Sequence, residues 1–266
     1  GRFKLSVVGI ERSSLSVAAF ETIRDKLKST ELVGTDGIVE SLRVIKDQRE
    51  VDAIRAAVES AERAFAVAKA GLQPRDSEKD VADRLDAAMR RFSAQGSAFE
   101  TIVAVGERAA LPHARPGDRI CESSPLVLID WGARRDHYHS DLTRTLFVGK
   151  PTVKFARVYE AVWKAQTAAV DAIAPGVAAC EIDRAARSVI EAAGYGRYFG
   201  HSTGHGLGLR IHEDPGLRAE NQSPLRPGMV VTVEPGIYLK GWGGIRIEDD
   251  VLVTRSGRQV LTSVPK

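Results

Sequence analysis

The segment Leu126–Gly149 reads LVLIDWGARRDHYHSDLTRTLFVG, and each of its apolar runs carries a single acid. The β-rich runs Leu126–Ala133 and Tyr138–Val148 flank a polar Arg-Arg-Asp-His tip, which is the pattern of a hairpin. With the turn centred on Arg135-Asp136, Asp130 and Asp141 are expected opposite each other on one face, their Cβ atoms about 5 Å apart. Two carboxylates so placed repel, and one stays protonated unless a cation lies between them. Asp130 also closes the apolar run Leu126–Ile129, a costly place for a bare charge. The plainer alternative is a solvated acid at Asp141 and a turn-proximal one at Asp130.

A second stretch repeats the arrangement. Met229–Tyr238 and Arg246–Thr254 read as a strand pair around Gly241–Gly244. Glu234 follows the apolar run Met229–Val233, and centring the loop on Gly241 puts Glu248 opposite it. Four acids brought together among aliphatics suit one or two oxygen-preferring divalent ions. A single imidazole shifts the choice towards Mn, with Co or Zn as the other options. His205, inside Gly204-His205-Gly206, is the natural donor, because flanking glycines allow close approach. His137 and His139 fall at the first hairpin's tip and read as plain surface residues.

Composition narrows the classes. The 266 residues are 43% hydrophobic and 27% charged, an ordinary globular balance. The net charge of +3 comes from interspersed Lys and Arg without a basic block, so nucleic acid and membrane surfaces are not expected partners. No apolar run approaches the roughly 20 residues of a membrane span. Cys121 and Cys180 stand in no metal or redox spacing, which fits a reducing compartment and a cytoplasmic location.

Leu5–Glu11 is expected as a strand and Val17–Leu27 as a helix, with a turn at Thr35–Gly37. Residues 1–45 hold too little apolar surface for a core of their own. Helical spacing from Val51 to Ala68 predicts a long helix ended by Gly71 to Pro74. Ser77 and Asp80 resemble a capping box before a second helix lined by Val81, Leu85, Met89 and Phe92. Thr101–Val105 is expected as a strand. Phe155–Ala172 and Ile182–Ala193 are two further helices, and Gly200–Glu213 is glycine-rich. Helix, helix, hairpin thus occurs twice, which predicts a pseudo-twofold α+β fold with curved antiparallel sheet inside and helices outside.

Asp130, Asp141, His205, Glu234 and Glu248, in this order, resemble the five metal ligands of the pita-bread metallopeptidases. The likeness spans roughly Ile45 to Lys266 and rests on Asp-Trp-Gly-Ala, Ser-Asp-Leu-Thr-Arg-Thr, Gly-His-Ser-Thr-Gly-His-Gly-Leu-Gly-Leu, Ile-His-Glu, Val-Glu-Pro-Gly-Ile-Tyr and Gly-Ile-Arg-Ile-Glu-Asp. Within that family His201 and Arg246 resemble the Xaa-Pro branch of aminopeptidase P and prolidase. Methionine aminopeptidases are less alike, typically having Cys just before Gly-His-Gly. The resemblance implies two divalent ions per chain and hydrolysis of the bond between an N-terminal residue and proline. It implies Glu234 as both ligand and proton shuttle, His212 and His113 as donors to the carbonyl or developing oxyanion, and His201 beside the proline. Arg246, two residues before Glu248, is expected to orient that ligand.

The resemblance further implies that residues 1–45 are the end and linker of a creatinase-type N-terminal domain, with 46–266 as the catalytic domain. It also implies a homodimer, and upstream sequence that could be present as a separate N-terminal fragment. One departure concerns substrate length. Some prolidases place an Arg directly after the Pro that follows His-Glu, whereas this chain has Gly216 there and Arg218 two residues on. A methionine aminopeptidase-like specificity, creatine hydrolysis and a non-catalytic pita-bread binding module are the other readings, the last opposed by the presence of all five ligand types.

Overall fold

The computed structural model describes residues 5–266, which form two compact units, 5–42 and 43–266. In the first, β1 (Val7–Glu11) and β2 (Glu31–Thr35) pair in parallel, Val7 facing Glu31 and Glu11 facing Thr35. They are joined by α1 (Val17–Lys26), capped by the Ser16 hydroxyl accepting from the Ala19 amide, and followed by α2 (Ile38–Arg43). β2 was not legible, since its Glu-Leu-Val-Gly-Thr carries only two large apolar residues. None of residues 5–42 is buried, and Val7, Val17, Val33 and Leu42 are all exposed.

The second unit opens with α3 (Gln48–Ala70), capped by an Asp47–Glu50 box, and α4 (Glu78–Arg91), where the Ser77–Asp80 box forms as expected. Short β3 (Gly96–Ser97) and β4 (Ile102–Val105) follow, then β5 (Leu126–Trp131), β6 (Ala133–Arg135), β7 (Tyr138–His139) and β8 (Leu142–Phe147). After α5 (Val153–Ala172) and α6 (Ala179–Ala192) the pattern returns: β9 (Gly204–Gly206), β10 (Glu213–Leu217), β11 (Val230–Val233), β12 (Gly236–Leu239), β13 (Gly243–Arg246), β14 (Asp249–Thr254) and β15 (Gly257–Val260). The antiparallel sheet β4-β5-β8 backs onto α3 and α4. The sheet β10-β9-β11-β14-β15 and the hairpin β12–β13 back onto α5 and α6. The expected α+β duplication is present. No helix of the described residues is long and apolar enough to cross a membrane.

Strand alternation explains where the acids point. Val127, Ile129 and Trp131 of β5 enter the core under α3 and α4, where Trp131 stacks on Phe65 at 4.2 Å and donates its indole N–H to Ala61 O at 2.9 Å. Leu126 and Leu128 face the other core, so Asp130 shares that second face. In the second half Val231 and Val233, like Ile245 and Ile247, enter the core beneath α5 and α6. Thr232, Glu234, Arg246 and Glu248 are left on the opposite side.

The first hairpin corrects the expected register. The turn is Asp136-His137, both at positive φ (50° and 70°), and Arg135 faces Tyr138. A two-residue hairpin turn of this hand needs two left-handed residues; Asp136 belongs to either choice, and His137 accepts that conformation more readily than Arg135. Asp130 therefore faces Thr143, with Asp141 two residues away along the partner strand. The slip is an even number of residues, so the predicted face is kept. In the second hairpin Val233 faces Asp249 and Gly236 faces Arg246, one continuous register that sets Glu234 across from Glu248. An isolated antiparallel bridge, Thr143 to Glu248, joins the two halves. His139 also departs from expectation. It is buried, with its backbone N–H and Nδ1 both on Gly208 O, at 2.9 and 3.0 Å.

Candidate metal centre

All nine residues singled out in the sequence line one cavity of about 510 Å³: Asp130, Asp141, His205, Glu234 and Glu248, with His113, His201, His212 and Arg246. Ligand-type atoms of Asp141, His205 and Glu248 lie within 4.8 Å of one another. Asp130, Asp141 and Glu248 are buried to 8%, 5% and 1% exposure. Arg246 Nη2 donates to Asp130 Oδ2 at 2.6 Å, while Asp130 Oδ1 is buried without a partner.

Arg246 is placed to orient Glu248 through Thr143, and it also grips Asp130 directly. Its Nε donates to the Thr143 hydroxyl at 3.1 Å, which in turn donates to Glu248 Oε2 at 2.6 Å. One guanidinium cannot neutralise four carboxylates. Burial raises all four acids, and neighbouring carboxylates add to the rise at Asp141, Glu234 and Glu248. Asp141 and Glu248 stand well above their usual range, Asp130 is raised despite Arg246, and Glu234 is pushed up to about 7. Behind them Asp250, buried and likewise raised by desolvation, accepts the Asp141 backbone N–H at 3.0 Å.

His205 is held for ligation. Its Nδ1 donates to Gly206 O at 3.0 Å, which fixes the tautomer and leaves Nε2 as a bare lone pair. That nitrogen faces Glu234 Oε1 at 3.3 Å and Asp141 Oδ2 at 3.6 Å. Glu234 Oε1 also accepts from the Thr232 hydroxyl at 3.2 Å, so an imidazole lone pair and carboxylate oxygens converge, a donor arrangement suited to a cation. The flanking glycines are sterically required. A Cβ at Gly204 would come within 2.0 Å of Thr232 O, and one at Gly206 within 2.2 Å of Asp214 O. The donor set of four carboxylates and one imidazole, with Asp130 Oδ1 orphaned, fits oxygen-preferring divalent ions.

His212 stands edge-on to His205, ring centroids 4.4 Å apart, and burial lowers its basicity. His113 is exposed at the rim. His201 is committed at both nitrogens: Nδ1 donates to Ser202 O at 2.8 Å and Nε2 accepts from the Tyr238 hydroxyl at 2.8 Å. Tyr238 accepts in turn from Arg246 Nη1 at 2.9 Å. Burial holds His201 down at about 4, so it presents a neutral ring to the cavity. Thr143, Thr232, Tyr238 and Asp250 were not found from sequence, although each adjoins a motif that was. Arg218 lines a separate cleft with Asp214 and Arg226 that shares no lining residue with the metal cavity.

The sequence matches metallopeptidase family M24 over residues 52–255. It is 41% identical to the Xaa-Pro dipeptidase of Pyrococcus horikoshii over 259 residues, which is 97% of this chain and 74% of that one. Among solved structures, the Xaa-Pro dipeptidase from Bacillus anthracis superposes with a TM-score of 0.94 at 42% identity, covering 97% of this chain and 72% of that one. The X-Pro aminopeptidase from Thermotoga maritima superposes with a TM-score of 0.95 at 39% identity, covering 98% and 74%.

Proposed function

The chain belongs to metallopeptidase family M24, as a metallo-exopeptidase of pita-bread fold, and from that premise we propose that it cleaves the bond between an N-terminal residue and proline in short peptides, using two divalent ions. The observation that carries the reading is the bare His205 Nε2 facing carboxylate oxygens in a cavity shared with three further histidines. Asp130, Asp141, His205, Glu234 and Glu248 would hold the metal, with Mn favoured by four oxygen donors and one imidazole, and Co or Zn next. When bound, the ions supply Lewis-acid polarisation of the scissile carbonyl and a water acidified towards neutrality.

The remaining chemistry falls to this chain's own groups. Glu234 takes a proton from the attacking water and returns it to the leaving proline nitrogen. His212 and His113 donate to the oxygen on which negative charge develops. The neutral ring of His201, locked by Tyr238, offers an apolar wall to the proline ring. Arg246 fixes Asp130 directly and Glu248 through Thr143, so one side chain keeps both acid pairs in place.

Kinetics on metal-reconstituted protein test the reading. Xaa-Pro peptides are expected to be cleaved at least about 100-fold more efficiently than Met-Ala-Ser, with no turnover of creatine. A preference for Met-Ala-Ser would make the chain a methionine aminopeptidase-like enzyme, and binding without turnover would make it a non-catalytic module. His212→Ala is expected to lower kcat by roughly 100-fold, the scale of a lost oxyanion donor. Metal content by elemental analysis stays unchanged. Loss of metal in this variant would make His212 a ligand instead.

A further inference from the structure

Two guanidiniums line the metal cavity, Arg115 and Arg246. Arg246 is spent within the site on Asp130, Thr143 and Tyr238. Arg115 is not. Among the described residues its side chain pairs with Glu100, also on the lining, with Nε to Oε2 at 3.4 Å and side chains 84% and 67% exposed. An exposed ion pair of this kind is weak, so exchange of Glu100 for another carboxylate costs little.

The backbone beneath Arg115 is, by contrast, fixed. Arg108 Nη2 donates to Arg115 O at 2.5 Å, and Arg108 is held by Glu78, whose side chain is fully buried. Glu78 also accepts from Gly117 N at 3.0 Å and Val105 N at 2.8 Å, and Lys79 N donates to Gly117 O at 3.1 Å. The loop is therefore tied on both sides of Pro116 to the start of α4. A free cationic side chain on an anchored backbone, at the mouth of the cavity, is preorganised for an anion brought in by the substrate.

A peptide of two residues carries such an anion at the proline carboxylate, and an interior Xaa-Pro bond does not. Arg218 lines a different cleft. The geometry points to Arg115 as a specificity-determining residue that binds the C-terminal carboxylate of Xaa-Pro dipeptides in exchange for Glu100. This rests on the Xaa-Pro reading and goes beyond it by naming the substrate length and the residue that selects it.

The test compares Ala-Pro with Ala-Pro-amide on metal-loaded wild type, Arg115→Met and Arg115→Lys. In Arg115→Met, KM for Ala-Pro is expected to rise about ten- to a hundredfold, the worth of one charge-assisted hydrogen bond. Its kcat and its metal content stay within about twofold of wild type, as does KM for the amide. Arg115→Lys restores part of the loss, because a point charge remains without the fork. Free proline as a competitive inhibitor weakens in parallel in Arg115→Met, while prolinamide does not. An equal change for acid and amide, or none for either, overturns the assignment while leaving Xaa-Pro cleavage standing. Cleavage of neither compound by wild type removes the Xaa-Pro reading and this inference together.

Discussion

Asp141→Asn is expected to abolish turnover and to raise the melting temperature of the metal-free protein. Asp141 is buried, with its backbone N–H on Asp250 and its carboxylate facing the bare Nε2 of His205. Its acidity is weakened first by burial and then by Glu248, Asp130 and Glu234, so in the empty site the charge opposes folding. Asn has almost the same shape and no charge. The substitution relieves that repulsion while removing a ligand oxygen that bears the charge a divalent ion needs. Partners that merely support a ligand cost 10–100-fold in metal affinity when lost, so a ligand itself should cost more than about 100-fold. Calorimetry with and without Mn distinguishes the effects. Added metal stabilises wild type by mass action, and the variant no longer responds at the same concentration. Full turnover in Asp141→Asn, or a lower melting temperature of the metal-free variant, would sink the assignment.

The same site shows where sequence reading succeeds and where it stops. Asp130 was legible because Leu126–Trp131 alternates between two cores, and period two fixes a side chain's face whatever the pairing partner. The partner itself was misassigned, because a two-residue turn is chosen by which residues accept positive φ, and Arg-Arg-Asp-His offers two nearly equal choices. Glu234 and Glu248 were placed opposite each other because the loop was centred on Gly241, where the chain turns at positive φ. Pairings across long sequence separations were not legible. His139 looked like a surface residue since nothing near it announces Gly208, 69 positions on. Thr143 looked like strand filler, yet its hydroxyl relays Arg246 to Glu248 more than 100 residues away. Arg115 was passed over for a related reason: its role depends on a loop pinned by Glu78, which local pattern presents only as the first residue of a helix.

Glu234→Gln separates proton transfer from ligation, and its signature is a pH profile. Burial pushes Glu234 up to about 7, against about 4.3 for a solvated Glu in the unfolded chain. Between those values the folded protein binds more protons than the unfolded one, so the metal-free wild type loses stability as pH rises through about 7. Gln cannot titrate. The metal-free variant is therefore expected to lose less stability from pH 5 to 8 and to be more stable than wild type at pH 8. Asp141 and Glu248, raised by the same burial, keep some slope in both proteins. At saturating metal the variant's kcat is expected to fall by roughly 10²–10⁴-fold, the range a positioned acid–base group contributes. The amide preserves the acceptor for the Thr232 hydroxyl, 3.2 Å away in the wild type, so the strand should stay in place. A kcat within about threefold of wild type at saturating metal would move the proton shuttle elsewhere. An unchanged pH dependence of metal-free stability would mean that Glu234 titrates as an ordinary carboxylate and is not the group poised near neutrality.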